Sequence, residues 1–505
     1  VLKRMFMAPD PGRARLRVST RAVLGVGLAV AATAVAGLPL PAVIAAGLAA
    51  LLTLFTVADP TVRRQAVTTA ALPAVGLPVL ALAAALHGRD GTRDAAFLAV
   101  VFCGVAARRW GARGNALGIF AFMMFFAAQF LHALPRELPV LTAAVLTGVL
   151  AAAFVRFAGW PLERRDPPPA VPAPPGGRGL TRPATRQAFQ AVVACAFALA
   201  VGQAVSGERW YWAVGTAWWI FVNTASRGET LVRGFRRVLG TGCGIAAGQV
   251  VAVPLHGAPA LTAALVAVCV FGIFYTAALS YSWMMVFVTL MAGLLYGLLG
   301  VLHPGLLTLR LEQTAVGATG AALAVAVVLP VTTHAASDAW VRSALECVRQ
   351  CAAASARRLA GDPAADPAPH VAELESALGR LRMSVAPLLH PLSPLRARRS
   401  RARQIMVGLD DCARQARGLA ELAADPDACH DARLITACRR VETAVGRLMT
   451  PGAGIAPAAE PAARAAHPVP HPSVDRALAH LHDLERSLAT LAAPLRGHTP
   501  APARA

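Results

Sequence analysis

The sequence predicts an all-α, polytopic membrane protein of about 12 transmembrane helices in a 6+6 parallel repeat, followed by a cytoplasmic helical bundle at the C-terminus. Three observations carry that prediction. The 505 residues are 56% hydrophobic, with a mean hydropathy of +0.54, more apolar than a solvated surface allows. The charges are also unevenly placed: no Asp, Glu, Lys or Arg occurs in the 72 residues from Val238 to Leu309, and none between Ala22 and Ala58. A single crossing needs about 20 apolar residues, so the first run holds about three spans and the second two. Finally, residues 338–505 change character, with 22 Arg against 17 Asp and Glu and apolar residues at helical spacing.

Residues 1–21 form a basic segment with Lys3, Arg4, Arg13, Arg15, Arg17 and Arg21. A signal peptide begins in the same way, but here the apolar run continues past Leu38-Pro39-Leu40-Pro41 into a second span, so a membrane hairpin is expected. The first transmembrane half, 22–157, divides into spans near 22–38, 40–57, 69–86, 94–107, 115–134 and 138–156. A Pro-rich linker at 158–186 follows, with Pro167-Pro168-Pro169 and Pro174-Pro175, and reads as an extended connection. The second half, 187–335, gives spans near 187–206, 210–225, 238–254, 259–278, 282–302 and 313–333.

Placing the N-terminus in the cytoplasm puts 21 basic residues on inner segments and only Arg89, Arg93, Arg136, Arg209 and Arg310 outside. That bias is the one expected of a bacterial inner-membrane protein with both termini in the cytoplasm. Each half has a basic inner loop leading into a Gly/Ala-rich span, and an Arg with an acid late on its outer side: Arg136-Glu137, and Arg310 with Glu312. The matching orientation suggests a parallel repeat. The last segment, 336–505, shows stripes at Val371, Leu374, Leu378, Leu381 and Val385, at Leu434, Cys438, Val441, Val445 and Leu448, and at Leu478, Leu481, Leu484, Leu488 and Leu491. Such stripes predict amphipathic helices packed as a bundle, with a disordered end.

The net charge of +21 raises the question of nucleic acid. The arginines cluster between apolar spans, and no zinc-finger, basic-zipper or RNA-binding pattern is present, so no nucleic-acid partner is expected. The nine cysteines include no CxxC pair; neither a disulfide framework nor a metal site is predicted. No phosphate loop, HExxH or GxSxG occurs, so no enzymatic activity and no cofactor are expected.

The most informative stretch runs from Trp210 to Gln249. Trp210, Tyr211 and Trp212 sit where an aromatic belt would lie, while Trp218 and Trp219 are deeper and suit helix packing or a substrate path. Asn223 and Arg227 precede Arg233, Arg236 and Arg237, whose i, i+3, i+4 spacing places them on one helical face. Gly240, Gly244 and Gly248 then form GxxxGxxxG, a smooth stripe for close helix approach. Two readings of the arginines stay open: anchors that obey the positive-inside rule, or the inner mouth of an anion path, because guanidinium binds carboxylate through two parallel hydrogen bonds.

The order Arg-Gly-Glu-Thr-Leu-x-Arg-Gly-Phe-Arg-Arg-x-Leu-Gly-Thr-x-x-Gly resembles the fusaric acid resistance-like family. That family includes the bacterial aromatic acid exporters and is similar to the plant aluminium-activated malate channels. The resemblance covers roughly residues 190–335 and is sharpest at 226–244, with Gly228, Thr230, Arg233, Gly234, Arg237, Gly240, Thr241 and Gly244 at the motif positions. It implies an integral inner-membrane transporter for the efflux of small organic, often aromatic, acids. It also implies a homodimer and, in Gram-negative relatives, a periplasmic adaptor subunit.

Coupling to protons would require a titratable group in the membrane. Glu312 beside Arg310 is the candidate pair, and His132, His256 and His303 lie near outer loops. Trp219, Asn223, Arg227, Arg233, Arg236 and Arg237 are the candidate anion path. The alternatives are a passive anion channel on the same scaffold and a non-transport membrane scaffold or intramembrane enzyme.

Overall fold

A computed structural model describes residues 13–159, 182–222, 227–251, 259–328, 333–359, 364–389, 396–424, 432–449 and 472–496, together with Gly179, Thr224 and Asp362. The described residues are mainly helical and contain no strand, and they fall into two compact units, one within 13–328 and one within 333–496.

The first unit holds twelve α-helices among its described residues: α1 (Ala14–Val35), α2 (Leu40–Thr56), α3 (Val62–Ala85), α4 (Asp90–Ala106), α5 (Gly111–Leu131), α6 (Leu138–Ala158), α7 (Pro183–Val205), α8 (Tyr211–Phe221), α9 (Arg227–Val251), α10 (Pro259–Ala277), α11 (Tyr281–Leu298) and α12 (Pro304–Val327). Helix is the natural state for such apolar sequence, because it satisfies every interior backbone group within one segment. Several starts are marked by proline, which lacks the N–H that the first turn leaves unpaired: Pro183, Pro259 and Pro304 open α7, α10 and α12.

The packing order of the first six helices recurs in the second six. α1 packs on α2 and α6, α2 on α6, α3 on α5 and α6, and α4 on α5. In the same way α7 packs on α8 and α12, α8 on α12, α9 on α11 and α12, and α10 on α11. The two sets meet where α4 packs on α7 and where α10 packs on α1.

Among the described residues, seven stretches are long and apolar enough to cross a membrane, one of them the continuous run Asp90–Leu131 that contains both α4 and α5. The other four fall short for visible reasons: α2 has 17 residues and α8 only 11, α9 carries arginines in its first three turns, and α12 carries Arg310, Glu312 and Gln313 in its first half. Helix limits differ from the spans read off charge in two places that matter below. α9 begins at Arg227, so the basic loop is helical, and α12 begins at Pro304, which puts Arg310 and Glu312 inside the helix. Backbone hydrogen bonding does not stop where charge begins.

The second unit is a bundle of α13 (Thr333–Leu359), α14 (Ala368–Leu389), α15 (Arg396–Ala423), α16 (Ala432–Met449) and α17 (Pro472–Arg496). The apolar stripes are its inner faces: Leu374, Leu378, Leu381 and Val385 on α14, Leu434, Cys438, Val441 and Val445 on α16, and Leu481, Leu484, Leu488 and Leu491 on α17 are buried together. Charged residues pair at the surface, as in Arg382–Asp410 at 2.6 Å and Arg440–Glu485 at 3.2 Å.

Candidate anion site

The site lies among α8, α9, α11 and α12. α9 can approach α11 closely because of its glycines: a Cβ on Gly240 would lie 2.5 Å from the Ser282 carbonyl oxygen, and one on Gly244 would lie 2.7 Å from the Thr289 Cβ. Gly248 turns instead toward Leu307 of α12, and Gly234 toward Ile220 and Ala318. Thr230 and Thr241 are buried on the same helix. Gly240 and Gly244 are therefore the motif positions where backbone comes near backbone, while Gly234 leaves room for a Cβ.

This close seam carries the arginines inward. Arg237 is 8% exposed, and its Nη1 donates to the Tyr281 Oη at 3.1 Å and lies 3.0 Å from the Met285 Sδ. One turn earlier, the Arg233 guanidinium stacks 4.1 Å from the centroid of the same Tyr281 ring. The Nε of each is shut from solvent without a partner, and no carboxylate pairs with either among the described residues. Arg236 does not join them: it is exposed, as is Arg227. The expected single face thus holds two of the three. Positions 233 and 237 lie about 40° apart around a helix, whereas 236 lies about 100° from 237.

Arg310 points into the same helix group rather than toward Glu312. Its guanidinium lies 5.3 Å from the Trp212 ring centroid, its Nε is buried without a partner, and its charge is within electrostatic reach of Arg237. Glu312 is exposed, because residues two apart face away from one another on a helix. The Arg310–Glu312 candidate is therefore not a joined pair. Asn223 and His256 lie outside the described residues. His303 caps α12, its Nδ1 accepting from the Leu306 N–H at 3.2 Å, and His132 packs edge-on to His87 at 6.5 Å.

The aromatic residues differ from a lipid-facing belt. Trp210, Tyr211 and Trp212 are at most 3% exposed, turned into the protein by the packing of α8 on α7 and α12. Trp218 stacks on Phe122 at 3.9 Å, and the half-buried Trp219 meets Phe55 edge-on at 6.3 Å.

Two arginines that read as loop anchors are internal caps. Arg156 donates to the Val57 and Leu54 carbonyls at 2.8 and 3.1 Å, closing the end of α2. Arg108 donates to the Phe221 carbonyl at 2.7 Å, closing the end of α8. A cation at a helix C-terminus meets unpaired carbonyls and the negative end of the dipole. Nothing in local sequence separates these from true loop arginines.

Among curated proteins, no match to this chain is found. Residues 193–325, which hold α8, α9, α10, α11 and most of α7 and α12, match the family described as fusaric acid resistance protein-like. With seven stretches fit to cross a bilayer among the described residues, this chain is a multi-pass helical membrane protein that carries a fusaric acid resistance protein-like region.

Proposed function

We propose that this protein moves small organic anions across the membrane, in the direction of efflux, along a path through its second helical half. One observation carries the reading: Arg237 is buried against Tyr281 and Met285, both neutral, with its Nε unpartnered. A guanidinium remains charged at any physiological pH, and an unneutralised charge in a membrane interior is costly. A passing carboxylate supplies the missing partner. The matched region at residues 193–325 supports transport as the task.

Twelve crossings in two parallel halves belong to the same proposal. The recurrence of the α1–α6 packing order in α7–α12 favours it, as does an even number of helices per half, which leaves both halves in one orientation. The basic residues on the inferred inner loops favour cytoplasmic termini in a bacterial inner membrane. A homodimer and a periplasmic adaptor subunit follow from the family resemblance and are carried with it.

A passive anion channel is the second reading. It is favoured by Glu312, the candidate coupling acid, being exposed and turned away from Arg310. Proteoliposomes assayed with aromatic and aliphatic acids, with and without a pH gradient, decide between them. Uptake that follows the gradient supports coupled export, and flux indifferent to pH supports the channel. Flux of no acid under either condition overturns both.

A further inference from the structure

We propose that Arg310, Trp212 and Tyr296 form a second anion-binding site, in series with Arg237, that takes the carboxylate of the transported anion. The proposal rests on the transport reading above and names a further stop on the same path.

Three helices bring the site together. α12 supplies Arg310, α8 supplies Trp212 and α11 supplies Tyr296; the guanidinium of Arg310 lies 5.3 Å from the Trp212 ring centroid, and the Trp212 and Tyr296 rings are 5.4 Å apart. Trp212 is 3% exposed and Tyr296 1%. Arg310 Nε and Trp212 Nε1 are buried polar atoms with no partner, and the buried Tyr296 Oη has only the Tyr211 hydroxyl beside it. The first two can only donate, and the phenol can donate as well. Buried donors are normally satisfied, and one left unmade is costly. What the cluster lacks is an acceptor.

Charge says what kind of acceptor. Arg209 adds a second guanidinium, bonded to the Tyr211 Oη at 3.1 Å and about 6 Å from the Trp212 and Tyr296 ring centroids (6.0 and 5.9 Å). The acids nearby in sequence, Glu208 and Glu312, are both exposed. The protein itself contains the contrasting case. Arg93 stacks on Trp210 at 4.7 Å in the same manner, yet it is neutralised by Asp90 at 2.7 Å and Asp94 at 3.0 Å. At that buried pair the acids are present. At Arg310 no acid pairs with it among the described residues, and a carboxylate with two oxygens and about four acceptor positions suits the donors that converge there.

The electrostatic reach between Arg310 and Arg237 completes the argument. Two like charges lie within electrostatic range of one another on the packed helices α9 and α12, so an anion held at either site relieves their repulsion. It can then step to the other without leaving a cationic surrounding, and two sites of moderate strength release an ion more readily than a single deep one.

The test uses the full chain in lipid nanodiscs, titrated calorimetrically with benzoate and with acetate, beside benzoate flux in proteoliposomes. Tyr296→Phe and Trp212→Phe each remove one donor and keep a ring, and each is expected to weaken benzoate binding about tenfold. Arg310→Gln is expected to lower the stoichiometry from two anions per chain to one. Wild-type affinity in both Phe variants overturns the second site; if Arg237→Lys still impairs flux in that case, the transport reading stands alone. Binding of neither anion by the wild type overturns the second site, and wild-type flux of no acid overturns the transport reading.

Discussion

Arg237 and Arg236 are neighbours in sequence with opposite surroundings, one buried on Tyr281 and the other exposed. Topology reads only charge, so Lys should serve as well as Arg at an anchor. A carboxylate site should not accept it, because ammonium lacks the planar two-donor fork. Arg237→Lys is therefore expected to insert normally and to weaken transport several-fold, a loss of about 1–2 kcal/mol from a charge-assisted contact, whereas Arg236→Lys should change nothing. Anion-concentration dependence of flux in matched proteoliposomes checks both, and equal flux in the two variants would return the motif to an anchoring role. The bundle cysteines give a residue-scale prediction of another kind. Burial pushes the Cys412 and Cys438 thiols up to about 12 and that of Cys351 to about 11. The folded bundle thus holds them neutral while the unfolded chain ionises from about 8.5. Their contribution to stability is complete below that pH and is lost as pH rises toward 12. Maleimide at pH 7.5 should leave these thiols unmodified until denaturant is added, since the thiolate is the reactive form.

At the scale of the element, α9 shows what a glycine stripe does and where it stops. Gly240 and Gly244 press on α11, while a Cβ on Gly242 would meet nothing within 4 Å. Replacing Gly244 by Leu should force the helices apart and lower the yield of folded protein. Gly242→Leu should be tolerated and serves as its control; fluorescence-detected size-exclusion profiles compare them, and equal profiles would place Gly244 at lipid. The stripe and the amphipathic bundle helices were legible in the sequence because spacing alone encodes them. The inward turn of Trp210–Trp212 and the lengths of α8 and α9 were not. A belt residue and a core aromatic have the same composition, and only the packing of α8 on α7 and α12 separates them.

For the whole molecule, the bundle's core is built from its own five helices. A fragment of residues 338–505 should accordingly express as a soluble helical protein, and a random-coil circular dichroism spectrum would refute an independent bundle. The proposed topology makes a separate prediction: reporter fusions at Gly177 and Ala505 should be active only as cytoplasmic reporters. Periplasmic activity at either position would overturn cytoplasmic termini without touching the Arg237 site.

The sequence by itself determined that the chain is helical and meant for a membrane, that its tail carries amphipathic helices, and that α9 carries both arginines and a close-packing stripe. Each of these follows from periodicity or from runs free of charge, which are properties of neighbouring residues. The tertiary structure alone decided which cations are buried. It set Arg156 and Arg108 as caps on distant helices, and it paired Arg93 with two acids. It also left Arg237 and Arg310 facing neutral side chains. Whether a charge is compensated depends on partners tens of residues away, and no local pattern records that distance.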